Sequence, residues 1–204
     1  MGQTIRHLLI ILVLSMALAS TALAGELEDA LINSARLGRV DEVKTLLDKG
    51  ANINARDAKG QTALIWGIQN IDILRLLIEK GANVNAYDKD GRTALIQAVF
   101  SYSGSLSILR LLIEKGADMN VRDEYGNTAL MYGVSSPKAD VVRLLIEKGA
   151  NLNVTDKLGL NTALSLAQFF AKGKSFGPQK QKEIEEIVRM LERAGAKLPV
   201  GYVK

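Results

Sequence analysis

Aliphatic residues along this chain fall in short clusters at the spacing of a helix face, and each cluster closes on a charged pair and a glycine. The clearest is Arg75-Leu76-Leu77-Ile78-Glu79-Lys80-Gly81-Ala82, which returns letter for letter at Arg110–Ala117 and Arg143–Ala150. A looser copy stands at Lys44–Ala51. Adjacent aliphatics, with Ile73, Ile108 or Val141 just upstream, predict the apolar stripe of a short amphipathic helix. The Glu-Lys pair puts polar groups on the last turn, where Lys suits the negative end of the helix dipole. The glycine stands where a helix leaves through a left-handed residue. Successive copies lie 31, 35 and 33 residues apart. A period in the thirties predicts a stacked array of like units.

A second phrase precedes each octet. Asp57 to Leu64 reads Asp-Ala-Lys-Gly-Gln-Thr-Ala-Leu, and its pattern recurs from Asp88 to Leu95 and from Asp123 to Leu130. A stretched version runs from Asp156 to Leu164. Asp-x-x-Gly predicts a tight turn, and Thr62 predicts a helix N-cap whose hydroxyl accepts from an orphan N–H. Asn54, Asn85, Asn120 and Asn153 also recur with the period, which predicts bonds to the backbone of the next turn.

Two helices per unit follow, with units at about 26–55, 56–86, 87–121, 122–154 and 155–197, and a tail over 198–204. The second unit is two residues short at Gln69-Asn70-Ile71, and the third two residues long at Phe100–Ser105. Loops absorb such changes at small cost, so the surface there is expected to be remodelled. The fifth unit carries an insertion from Lys172 to Lys182, and a closing helix is expected over Glu183–Ala194 with Ile184, Ile187, Val188 and Leu191 inward.

Asp-x-x-Gly-x-Thr-x-Leu, two short helices, Leu-Leu-x-x-Gly-Ala and Asn-x-Asn together resemble the ankyrin repeat from Glu26 to about Lys197. The family's Thr-Pro-Leu-His becomes Thr-Ala-Leu-Ile or Thr-Ala-Leu-Met here. Alanine is a good helix former, so the fold is unaffected, while some rigidity and a turn-bridging hydrogen bond are lost. The resemblance implies an all-α solenoid of about five helix-turn-helix units with short β-hairpin fingers. It implies protein partners, met by the finger tips and by the edge of each first helix. By position the tips are Lys59, Gln61, Lys89, Asp90, Arg92, Glu124, Tyr125 and Asn127. The helix-edge positions are Gln69, Asn70, Phe100, Ser101, Ser135 and Ser136. Aromatic and Arg residues dominate binding hot spots, which ranks Tyr125, Phe100 and Arg92 first. Trp66 and Phe100 are equally readable as packing between helices.

Composition narrows the chemistry. The chain has no Cys and one His, His7. Residues 1–7 are short and basic, an apolar run follows to about Leu18, and Ala22-Leu23-Ala24 is a small-x-small cleavage pattern. A secretory leader over 1–24 is the expectation, since the run is shorter than the roughly 20 residues of a membrane span. Cleavage would leave neither Cys nor His, removing Ser–His and Cys–His constellations and most zinc sites. Asp57, Asp88, Asp123 and Asp156 repeat as turn formers, so no catalytic residue, metal or cofactor is expected. Gly173-Lys174-Ser175 lacks the second glycine of a phosphate loop, as position 168 is Gln168. The sequon at Asn153 is set aside because that asparagine recurs with the repeat. The formal charge of +4 is interspersed rather than clustered, which speaks against nucleic acid.

These readings converge on an exported bacterial ankyrin-repeat protein, periplasmic or secreted. It would be a monomer with no membrane span after cleavage, a non-enzymatic scaffold binding or inhibiting an envelope enzyme. A secreted effector that binds host proteins and a carboxylate-based envelope hydrolase are the alternatives.

Overall fold

A computed structural model of the chain describes residues 25–101, 105–173 and 176–201. The expected leader lies outside the described residues, as do 102–104 of the third-unit surplus and 202–204 of the tail.

Ten helices occur among the described residues, two to a unit. They are α1 (residues 25–36) with α2 (Val40–Asp48), and α3 (Ala63–Trp66) with α4 (Ile71–Glu79). Next come α5 (Ala94–Phe100) with α6 (Leu106–Glu114), and α7 (Ala129–Ser135) with α8 (Ala139–Glu147). The last pair is α9 (Ala163–Gly173) with α10 (Pro178–Arg193). No described helix is long and apolar enough to cross a membrane.

The recurring phrases do local work. The hydroxyls of Thr62, Thr93 and Thr128 accept the backbone N–H of Ile65, Ile96 and Met131 at 3.4, 3.3 and 3.4 Å, starting α3, α5 and α7. Leu77, Leu112 and Leu145 all reach 0% exposure, in equivalent places along one continuous core. Fully burying such a side chain contributes about 1.5–3 kcal/mol. No single unit has enough apolar surface to close on itself, so neighbouring units supply each other's interior.

The recurring asparagines tie the units in series. Asn54 Oδ1 accepts from Asn83 N, Asn85 from Asp118 N and Asn120 from Asn151 N, each at 2.8 Å. Asn153 completes the row by accepting from Lys197 N at 2.7 Å. The expected bond to the next turn's backbone is present at every step.

Two features differ from the sequence reading. The closing helix begins at Pro178, five residues before the expected Glu183, with proline in its first turn after Gly177. Proline is favoured there because the N–H it lacks has no intrahelical partner. The insertion is correspondingly shorter, since Lys172 and Gly173 already belong to α9. The fingers are closed turns more than strands: Asp57, Asp88 and Asp123 donate their N–H to the carbonyls of Gln61, Arg92 and Asn127, each at 3.0 Å. The isolated antiparallel bridge among the described residues joins Tyr87 and Thr93.

Candidate functional site

Each finger is shaped by its aspartate. One oxygen of Asp57 accepts the N–H groups of Lys59 and Gln61 at 2.8 and 2.9 Å, and Asp88 and Asp123 repeat the pattern two and four residues on. The other oxygen reaches the first helix nine residues later. There Trp66 Nε1 donates to Asp57 at 2.9 Å, Gln97 Nε2 to Asp88 at 3.0 Å, and the Tyr132 hydroxyl to Asp123. In the fifth unit the equivalent helix position is Leu166, which cannot donate, and Asn161 within the finger takes over at 2.6 Å. The repeated aspartates are therefore architectural.

Burial pushes the Asp57 carboxyl up, but the Trp66 and backbone N–H groups outweigh it and hold the group below its ordinary value. Burial, then the hydrogen bond to Asp123, pushes the Tyr132 phenol up.

The fingers are also stitched to one another. Lys89 N donates to Lys59 O at 3.0 Å, Glu124 N to Asp90 O at 2.8 Å, and Lys157 N to Tyr125 O at 2.8 Å. A surface made of such tips is preordered, so little backbone entropy opposes docking on it.

The expected site residues separate into displayed and engaged groups. Lys59, Lys89, Asp90, Glu124 and Tyr125 are exposed on the tips, and Gln69 and Ser135 on helix edges. Tyr125 is 55% exposed, and the neighbouring Glu124 carboxylate pushes its phenol up. Between it and Leu158 lies an open pocket of about 410 Å³, also lined by Asn127. Asn70 instead caps α4, accepting from Asp72 N and Ile73 N at 2.9 and 3.2 Å. Ser101 and Ser135 hydroxyls return to the carbonyls of Gln97 and Met131 at 2.7 and 3.0 Å. Ser136 is half-buried past the end of α7. Gln61 donates to Asp88 at 3.3 Å. Arg92 lies between Asp90 at 3.5 Å and the buried Asp123 at 3.8 Å. Phe100 keeps 45% exposure while meeting Tyr132 edge-on, so it both packs and shows a face. Trp66 is half-buried against the core.

Among the displayed residues that the sequence reading did not single out are Leu158, Leu160 and Phe169, at 77%, 61% and 67% exposure, and Tyr87 at 56%. Phe169 follows Thr162 by the same seven residues that separate Phe100 from Thr93. Leu158 occupies the tip position of Tyr125, two residues after the finger aspartate. The extra residue of the fifth finger lies between Gly159 and Thr162 and changes neither count.

Among the described residues, no group of three or more His, Cys, Asp or Glu side chains is placed to hold a metal. A family profile described as Ankyrin repeats (3 copies) matches residues 7–88 and 70–156. The first match starts inside the segment expected to be a leader. The search of curated proteins finds no match.

Proposed function

This chain belongs to the ankyrin-repeat family, and from that premise we propose that it is a non-enzymatic scaffold binding another protein in the cell envelope. Ankyrin repeats are typically protein-interaction modules without catalytic activity. The observation that carries the reading for this chain is Tyr125. It is an aromatic shown on a stitched finger, beside exposed Leu158, with no role in the core. Aromatic side chains of this kind bring large contact area and lose little conformational entropy. The leader pattern at the amino terminus supports the envelope as the place of action, and inhibition of an envelope enzyme is one concrete form of the role.

The experiment is capture from envelope extract by immobilised wild-type protein and by Tyr125→Ala. The variant should retain the helical circular-dichroism signal and lose most of the wild-type capture. Equal capture by both would defeat the assignment of the tip. Cell fractionation addresses location: protein confined to the cytoplasm would remove the envelope role.

A further inference from the structure

The family profile matches as far as residue 156, and the fifth unit beyond it departs from the others in length and in charge. Its first helix, α9, runs for 11 residues where α5 and α7 run for 7. Its second, α10, runs for 16 where α4, α6 and α8 run for 9. Thr162 opens α9 as Thr128 opens α7, and Gly195 follows α10 as Gly149 follows α8, so the surplus lies where the two helices meet. At 1.5 Å per residue that end projects about 6–10 Å past the equivalent ends of the other pairs, on the side of α9 remote from the finger.

Between Asp156 and Glu183 the sequence holds five lysines and no acidic residue. Lys172, Lys180 and Lys182 are exposed on the projection, and among the described residues no carboxylate pairs with them. Lys180 and Lys182 stand in the opening turns of α10. The first turn of that helix carries no Asp or Glu, whereas α2, α4 and α8 open on acidic residues. Positive charge at a helix N-terminus opposes the dipole, so these lysines do not serve the stability of the helix. Aromatic rings accompany them. Phe170 packs against the core, and its ring centroid lies 5.6 Å from that of Phe169 and 5.8 Å from that of Phe176. Phe169 is 67% exposed. Gln181 Nε2 donates to Ala171 O at 2.7 Å, tying the start of α10 to the end of α9. A held, projecting knob thus carries exposed phenyl surface and unpaired ammonium groups together.

We propose that this knob docks the protein on the surface of an anionic phospholipid bilayer. The lysines meet the headgroup phosphates, and the Phe169 and Phe176 rings enter the interface between them. Cationic and aromatic groups shown together are what holds peripheral helices on such membranes. The knob is a projection, so a flat, fluid surface takes its charge and its rings at once with no shape to match. The fifth finger stands at the other end of α9, so a docked molecule still displays its tips. The inference goes beyond partner binding and does not depend on it.

The full chain is sedimented with vesicles of phosphatidylglycerol and phosphatidylcholine in equal parts, and with vesicles of phosphatidylcholine alone. Strong binding to the first and little to the second is expected. Lys172→Gln, Lys180→Gln and Lys182→Gln together should weaken binding to the anionic vesicles about a hundredfold, at about fivefold for each lysine. The unfolding midpoint should not fall, since all three side chains are exposed. Phe169→Ser should weaken binding as well. Residues 1–24 are the same in every variant, so their share cancels in the comparison. The chain has no Cys, so a dye that brightens in apolar surroundings can be placed on Gln179→Cys in the knob or on Glu124→Cys in the fourth finger. Brightening at 179 alone is expected on anionic vesicles. Brightening at neither position, or equally at both, overturns the proposal, as does unchanged binding by the triple variant. Lysine-dependent binding of soluble polyglutamate, with the dye at 179 silent on vesicles, also overturns it and assigns the knob to an acidic protein. Tyr125→Ala should keep vesicle binding, so loss of partner capture and loss of membrane docking are told apart.

Discussion

The Arg92 guanidinium sits 4.7 Å from the centroid of the Phe100 ring, joining the third finger to the first helix of the same unit. The same guanidinium lies 6.0 Å from the Tyr132 ring, and Phe100 meets Tyr132 edge-on at 5.2 Å. Two residues with the composition of binding hot spots are therefore each other's first contact. They hold neighbouring units together before any partner arrives. A partner meeting this surface finds the arginine already ordered, which lowers the entropy lost on docking.

That contact is measurable without a partner. A double-mutant cycle with Arg92→Ala and Phe100→Ala, read by urea unfolding, should give a coupling of about 0.5–2 kcal/mol, the range for a partly desolvated cation–π pair. Effects that simply add, within about 0.3–0.5 kcal/mol, would mean the stacking contributes nothing. Because Arg92 has this second role, Tyr125→Ala is the cleaner probe of partner capture.

Burial separates leucines that look alike in the sequence. Leu112 is fully buried at a junction between units, and Leu112→Ala should cost about 2–5 kcal/mol through lost contacts and the cavity left behind. Leu158 on the fifth finger is 77% exposed, and Leu158→Ala should stay within about 0.5 kcal/mol of wild type. Thermal unfolding of both variants checks this. A small loss at Leu112 would show that the units do not share their interior there.

The asparagine row predicts a smaller, distributed effect. Asn85 accepts from Asp118 N at 2.8 Å and donates to Gly116 O at 3.1 Å, so it holds two backbone groups of the next unit. Asn85→Ala should destabilise by about 1 kcal/mol, and Asn85→Asp by less, since the acceptor is kept. Amide hydrogen exchange at Asp118 gives the local reading: protection lost in the alanine variant and retained in the aspartate variant. Unchanged protection in both would remove Asn85 from the coupling between units.

Much of this was legible because the repeat supplies several copies of each local rule. The Asp turn, the Thr cap, the buried Leu and the bonding Asn all recur with the period, and each has the role its pattern predicts. What escaped lies where the copies disagree. The fifth finger carries one extra residue between Gly159 and Thr162, and Leu160 is displayed there. Pro178 starts a helix inside a lysine-rich stretch with no apolar stripe until Ile184, so periodicity alone places that start too late. The two-residue deficit is legible as a gap in the period, but not that the first helix there gives way to a 3-10 turn over Gly67–Gln69.

Acid should act on the second finger through Asp57. Its folded pKa lies below the unfolded value of about 3.9, so the stability it supplies is complete above that value and is lost as pH falls through the folded pKa. Trp66→Phe removes the largest of the groups that lower it, so the folded pKa should rise toward the unfolded one. The variant's stability should then depend less steeply on pH in the acid range. Carboxyl NMR titration of Asp57 in both proteins tests this, and an unmoved midpoint would mean that the indole N–H does not set it.

Two glycines separate backbone strain from crowding. Gly116 has φ +89° with nothing within 4 Å of a built Cβ, whereas Gly126 has φ +81° and its Cβ would stand 2.4 Å from Lys157 N. Both substitutions force alanine into the left-handed region, at about 1–2 kcal/mol. Only Gly126→Ala also pushes two fingers apart, at the place where Lys157 N donates to Tyr125 O at 2.8 Å. Gly126→Ala should therefore unfold at clearly lower urea than Gly116→Ala and deprotect the Lys157 amide to hydrogen exchange. Equal losses at the two sites would mean that the close approach of the fourth and fifth fingers is not enforced, and the preordered surface carrying Tyr125 and Leu158 would lose its physical basis.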